Sequence, residues 1–182
     1  MSERAARPDW ATIPNAVTLL RLLLLAPVCV LLATGPGTLA VVLLLVWALT
    51  DWVDGALARA LGQTSRTGEI IDPVADRLGL VGIALALMVA GLLPWPALVI
   101  LFVVDALVAV VTTRTALDGG LGVSWIGKIR TAILMTGVLL LAALAAWAPE
   151  HVGIGRALVW TGVALHVAAG AGYLAKSLRG RR

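Results

Sequence analysis

The chain has 182 residues, of which 60% are hydrophobic and only 13% charged, and it carries a formal net charge of +4. Water-soluble domains average about 45–50% apolar and 25% charged residues, so this composition, with a mean hydropathy of +1.00, excludes an ordinary soluble domain. A soluble helical bundle would need amphipathic faces that the sequence barely offers, and the single cysteine, Cys29 inside an apolar run, excludes a disulfide framework.

Six apolar stretches follow one another at 17–33, 38–57, 74–91, 96–115, 126–148 and 155–174, each close to the ~20 residues that cross a bilayer core as a helix. They predict an all-α integral membrane protein with six transmembrane helices and an interfacial N-terminal segment, a single domain over residues 1–182. A polar-leaning N-terminus and the lack of a clean small-residue cleavage site argue against a cleavable signal peptide. The turns TGPG, LLPWP and WAPEHVGIG are rich in Gly and Pro and nearly uncharged. Positive charge gathers at the other connections and the termini. Arg4, Arg7, Arg21, Arg59, Arg66, Arg77, Arg114, Lys128, Arg130, Lys176, Arg179, Arg181 and Arg182 fall on one side of the expected membrane, and Arg156 on the other. Loops rich in Lys and Arg stay in the cytoplasm, so a multi-pass plasma-membrane protein with both termini cytoplasmic is expected. The net charge reads as orientation and attraction to anionic lipid, not as nucleic-acid binding.

The first stretch opens on Pro14-Asn15-x-x-Thr18-x-x-Arg21. The second ends in the most charged part of the chain, DWVDGALARALGQTSRTGEIIDPVADR at 51–77, whose four aspartates are spaced by three, eighteen and four residues. Asp51, Asp54, Gly55 and Ala58 share one face of a helix at i, i+3, i+4 and i+7. Gly68, Asp72 and Asp76 share another if that segment is helical, although Asp72 before Pro73 also fits a helix cap with proline at the first helical position. Carboxylates at this depth cost about 2.5–3.5 kcal/mol each at a helix centre, and four of them repel one another, so a cation belongs among them. Arg59, Arg66 and Arg77 form one candidate set, a salt-bridge cluster that seals the loop. A divalent ion is the other, since Mg²⁺ and Mn²⁺ favour carboxylate oxygens. Two pairs of carboxylates on two helical faces favour the metal, in the one- or two-ion arrangement used for phosphoryl displacement. The small residues Gly55, Ala58 and Gly68 on the same faces leave room for a ligand.

In the remaining stretches polar residues are few. Asp105 and His166 lie in the fourth and sixth, and a lone histidine such as His166 reads first as a helix contact. Gly79, Gly82 and Gly170 indicate close helix packing that could also serve a dimer. An ion-coupled transporter is the second class of reading. It would need polar residues near the midplane of several spans, whereas these carboxylates cluster at one interface.

Asp51-x-x-Asp54-Gly55-x-x-Ala58-Arg59, then eight residues, then Gly68-x-x-x-Asp72-x-x-x-Asp76 resembles the signature of the CDP-alcohol phosphotransferase family at every defined position. The resemblance extends to Pro14-Asn15-x-x-Thr18-x-x-Arg21 in the first span. It extends also to Ser124-Trp125-Ile126-Gly127-Lys128-Ile129-Arg130-Thr131, similar to the fifth-helix start of the family's phosphatidylglycerophosphate synthases. It implies transfer of the phosphatidyl group of CDP-diacylglycerol to an alcohol, with release of CMP. It implies that Asp51, Asp54, Asp72 and Asp76 ligate one or two Mg²⁺ or Mn²⁺ ions, and that Asp76 is also the base toward the attacking hydroxyl. Gly55 and Ala58 would line a cytidine pocket, and Asn15, Thr18, Asp54, Arg59 and Gly68 would complete the CDP-lipid site. The family's frequent homodimers make a homodimer an expectation here.

The acceptor is read from charge. Lys128 and Arg130 begin the fifth stretch and Arg114 ends the fourth, which suits an anionic acceptor bearing phosphate, such as glycerol 3-phosphate, phosphatidylglycerol or inositol phosphate. Glycerol 3-phosphate leads, and phosphatidylglycerol, the acceptor of a cardiolipin synthase, is the alternative. Val104-Asp105 stands where the family's phosphatidylglycerophosphate synthases carry an Arg-acidic pair, and Asp76-Arg77 resembles the ending in actinobacterial cardiolipin synthases.

Overall fold

The structure, a computed structural model, describes residues 12–61, 66–116 and 125–179. Among them the chain forms six long α-helices: α1 (Ile13–Ala33), α2 (Thr38–Leu61), α3 (Arg66–Val89), α4 (Trp95–Ala116), α5 (Trp125–Trp147) and α6 (Val152–Arg179). A 3₁₀ turn, Pro149–His151, joins α5 to α6, and no strand occurs among the described residues. The residues that would form the interfacial N-terminal segment precede Thr12 and lie outside that description.

Each expected apolar stretch falls on one helix, with 74–91 and 126–148 running one or two residues past the ends of α3 and α5, and most helices run further at the polar ends. The largest difference is at α3, which begins at Arg66 and not at Val74. Asp72 and Pro73 therefore lie within the helix, so Asp72 is no cap, and Gly68, Asp72 and Asp76 do repeat along one face. Hydropathy marks the apolar part of a helix and misses a polar turn continuous with it. At α1 the cap is Thr12, whose hydroxyl accepts the backbone N–H of Asn15 at 3.3 Å, with Pro14 in the first turn.

Two described segments, Ile13–Ala33 (21 residues) and Pro149–Gly172 (24 residues), are long and apolar enough to cross a membrane, and Thr38–Thr50, Trp95–Leu107 and Ala132–Trp147 are shorter apolar runs. Large apolar side chains such as Leu19, Leu23, Leu39, Val99 and Phe102 point outward and are exposed. An apolar exterior of this kind marks a surface that meets something other than water.

Helix α1 packs on both α2 and α3, while α6 packs on α4 and α5. The core runs through Val28 and Leu32 of α1, Leu44 and Trp47 of α2, Ile83 and Leu87 of α3, Leu141 of α5 and Val159 and Val163 of α6. Helices α5 and α6 touch nearly backbone to backbone. A Cβ on Gly155 would lie 2.7 Å from Leu141 Cα, and one on Gly137 would lie 3.0 Å from the Val159 nitrogen. Gly82 likewise faces Cys29 of α1, and a Cβ on Gly79 would overlap the Trp47 ring of α2. Both glycines are thus spent on contacts within the chain.

The contacts fix the directions of the helices. Cys29 meets the Gly82 position and Thr18 meets Asp72, so α1 and α3 run parallel. Trp147 Nε1 donates to Thr38 Oγ1 at 3.0 Å, which brings the end of α5 to the start of α2. At that same end Arg156 donates to the Leu92 and Gly91 carbonyls at 2.7 and 3.1 Å, closing the α3–α4 turn. The end of α2, the starts of α1, α3 and α5, and the end of α4 consequently meet at the opposite end of the bundle.

Candidate active site

That opposite end carries every residue singled out from the sequence for chemistry. Asn15 and Thr18 are in the first turns of α1, while Asp51, Asp54, Gly55, Ala58 and Arg59 occupy the last turns of α2. Gly68, Asp72 and Asp76 are in the first turns of α3, Arg114 is near the end of α4, and Lys128 and Arg130 are at the start of α5. The side chains of Asp51, Asp54, Ala58, Arg59, Arg114, Lys128 and Arg130 lie outside the described residues, as does the side-chain environment of Gly55. For these the structure gives the helix and the level along it. Trp47 packs at the level of Gly79, and four further residues of α2 advance about 6 Å. Asp51 is thereby brought toward the level of Asp76, three residues before Gly79.

The described part of the site is a seam between α1 and α3. Thr18 Oγ1 donates to Asp72 Oδ1 at 2.9 Å, and its distance to the Pro14 carbonyl is 3.2 Å. Arg21 Nη2 stands 3.0 Å from Asp76 Oδ1. Thr18 and Arg21 are each only 1% exposed, yet the Asp76 side chain is 56% exposed. Parallel helices make this pairing possible: residues three apart on α1 face residues four apart on α3, one turn against one turn. Behind them Trp47 Nε1 donates to the Arg21 carbonyl at 3.1 Å, and Gly79 makes space for the indole. Two carboxylates thus sit on one turn, Asp72 half-buried and hydrogen-bonded by the Thr18 hydroxyl, Asp76 open to its surroundings and ion-paired with the buried Arg21 guanidinium.

Arg21 and Trp47 are the residues that the sequence analysis did not assign to the site. Arg21 was counted with the cytoplasmic-side anchors, but it is enclosed by the protein and paired with Asp76. The available signal was an arginine inside an apolar run, three residues after Thr18, since charges within such runs tend to face protein and carry function. The cation placed against Asp76 is therefore an arginine of α1. Arg77, the next residue of α3, is exposed.

The donor set suits a hard divalent cation. Asp72 and Asp76 offer carboxylate oxygens from adjacent turns, and Asp72 already has the outer hydrogen bond typical of a metal-ligating carboxylate. Elsewhere, His166 Nε2 lies 3.3 Å from Asp105 Oδ1, with His166 buried and Asp105 largely so. These two polar residues thus face one another across α6 and α4.

The sequence model of the CDP-alcohol phosphatidyltransferase family matches residues 11–168, including the whole of the α1–α3 seam. The chain belongs to that family. A "Putative cardiolipin synthase" of Mycobacterium tuberculosis is 35% identical over 129 residues, which cover 69% of this chain and 62% of that relative. The match thus spans less than two thirds of the relative's length. A "Probable phosphatidylglycerophosphate synthase" of the same organism is 31% identical over 182 residues, 96% of this chain and 86% of that one. A CDP-diacylglycerol–glycerol-3-phosphate 3-phosphatidyltransferase of Shigella flexneri is 36% identical over 160 residues, 78% of this chain and 82% of that one. In fold, the chain is similar to crystal structures of the phosphatidylinositol phosphate synthase of Mycobacterium tuberculosis. The apo form gives a TM-score of 0.67 at 21% identity over 90% of this chain and 88% of that one. A complex of the same synthase with manganese and citrate gives 0.66 over 92% and 83%.

Proposed function

We propose that this protein transfers the phosphatidyl group of CDP-diacylglycerol to glycerol 3-phosphate and releases CMP, within a membrane that all six helices span. The carrying observation is the pair Asp72 and Asp76 on one turn of α3, backed by Thr18 and Arg21, inside the family's signature. In this reading Asp51, Asp54, Asp72 and Asp76 hold one or two Mg²⁺ or Mn²⁺ ions. Such an ion supplies charge neutralisation to the diphosphate as its bond to CMP breaks.

The chain's own residues do the rest. Asp76, the more exposed carboxylate, accepts the proton of the acceptor hydroxyl as that oxygen forms its bond to the phosphatidyl phosphorus. The phosphorus–oxygen bond to CMP breaks in the same displacement, and CMP leaves with the bonding pair. Gly55 and Ala58 leave room for the cytidine, and Asn15, Arg59 and Gly68 complete the lipid-nucleotide site. Lys128, Arg130 and Arg114, all at the same end of the bundle, attract an acceptor phosphate. With Lys and Arg crowded at that end, it faces the cytoplasm together with both termini. A homodimer belongs to the same proposal, although Gly79 and Gly82 lend it no support because α2 and α1 occupy them.

A second acceptor is favoured by the 35% identity to a relative named as a cardiolipin synthase and by the Asp76-Arg77 ending. The test is CMP release by purified protein from CDP-diacylglycerol, with glycerol 3-phosphate and phosphatidylglycerol supplied side by side. Turnover with glycerol 3-phosphate supports the first reading. Turnover confined to phosphatidylglycerol makes the protein a cardiolipin synthase, and CMP release that EDTA leaves untouched defeats the metal assignment.

A further inference from the structure

We infer that α1 is the outer support of the aspartate site, with Thr18 and Arg21 acting as positioning residues that hold the Asp72 and Asp76 carboxylates; this rests on the reading of those aspartates as metal ligands. Both supports are 1% exposed, so the protein fixes their positions, and the Thr18 hydrogen bond and the Arg21 ion pair restrain the two more exposed carboxylates. A contact between two exposed charges would do little of this, because both partners would keep their freedom.

Thr18 illustrates the choice between touching substrate and touching a ligand. A hydroxyl has one hydrogen, and Asp72 Oδ1 at 2.9 Å is a closer acceptor than the Pro14 carbonyl at 3.2 Å. The family resemblance places Thr18 beside the diphosphate, and in this structure its enclosed hydroxyl addresses Asp72. Arg21 is held at its own backbone as well, because the Trp47 indole donates to its carbonyl at 3.1 Å and fills the space that Gly79 leaves. Its guanidinium therefore reaches Asp76 from a fixed base. Outer partners of this kind orient metal ligands, and their loss costs about 10–100-fold in metal affinity or activity.

The test uses the purified full chain in detergent, with Thr18→Val, Thr18→Ser, Arg21→Met and Arg21→Lys. Mn²⁺ binding is measured without lipid or acceptor, from the loss of the free-ion electron paramagnetic resonance signal. The kcat and the KM for CDP-diacylglycerol are then measured at saturating Mn²⁺. Thr18→Val and Arg21→Met are expected to weaken Mn²⁺ binding about 10–100-fold. Serine at 18 should restore it, and lysine at 21 should recover part of the loss. The KM for CDP-diacylglycerol in Thr18→Val should stay native once Mn²⁺ saturates. Native Mn²⁺ affinity with a raised KM would overturn the inference and make Thr18 a substrate contact. Native affinity with only a lower melting temperature would overturn it in favour of simple packing. Should Arg21→Met fail to fold, the Thr18 pair and Arg21→Lys carry the same comparison. A wild-type protein that binds no Mn²⁺ defeats the metal reading itself, an outcome distinct from variants that bind it as the wild type does.

Discussion

Two helix seams run through this molecule, and they are built from opposite materials. Between α5 and α6, Gly137, Gly155 and Gly162 let Val159, Leu141 and Leu134 approach until backbones nearly touch. The seam between α1 and α3 starts in the same style, with Gly82 against Cys29. Toward the shared end it changes to Thr18 on Asp72 and Arg21 on Asp76. Small residues suffice where two helices need only stay together, because close approach gains dispersion on both sides. Polar pairs appear where helices must also present charged groups outward, and there each buried donor needs its acceptor. Shape closes the bundle, and charge builds the site.

The comparison breaks most visibly at Asp76. A general base contributes about 10²–10⁴ in rate, so Asp76→Asn should lower CMP release by that factor while the protein still inserts and elutes as the wild type does. Near-native turnover would remove the base assignment. Next in size is Lys128→Ala. A charge-assisted contact is worth about 1.5–3 kcal/mol, so the KM for the acceptor should rise roughly 10–100-fold, with the KM for CDP-diacylglycerol unchanged. Equal effects on both constants would mean that Lys128 serves only to orient the chain.

The glycine seam should answer differently. In Gly155→Ala the new Cβ meets Leu141 backbone, which cannot swing aside, so about 1–3 kcal/mol of stability should be lost to overpacking. Thermal unfolding in detergent reads that loss, and kcat per folded molecule should not move. A fall in kcat would show the two seams to be coupled. The smallest effect is expected from Trp47→Phe, which keeps most of the ring but removes the N–H to the Arg21 carbonyl. One hydrogen bond of this kind contributes about 0.5–1.5 kcal/mol, visible as a modest drop in melting temperature.

These seams were unequally legible in the sequence. Apolar runs announce helices locally, and each of the six expected stretches falls on one observed helix, two of them overrunning its end by one or two residues. The aspartate spacing was equally local: once α3 is helical from Arg66, Asp72 and Asp76 must share a face. What could not be read was the partner of each carboxylate. Thr18 and Asp72 are 54 residues apart, and their contact depends on α1 and α3 lying parallel, which no local period encodes. Arg21 was harder still, since an arginine near a helix end looks the same whether it anchors to lipid headgroups or turns inward. Pro73 misled in the opposite sense, suggesting a helix start where the helix was already under way.

The bond between Arg21 and Asp76 also imposes an order on how the protein is made. Arg21 leaves the ribosome 55 residues before Asp76, and at about 5–20 residues per second that is a delay of roughly 3–11 s. For that interval an α1 that spans a bilayer would carry its positive charge without this partner, a burden of up to about 2.5–3.5 kcal/mol at mid-depth. Trp47 arrives early enough to brace the arginine backbone, and Asp51 and Asp54 follow it on α2, but the carboxylate that pairs with Arg21 comes only with α3. The α1–α2 hairpin therefore lacks the ion-pair partner that Arg21 has in the finished fold until α3 packs beside it. The last of the four clustered aspartates to be synthesised is then also the one that supplies the first helix with its counter-charge.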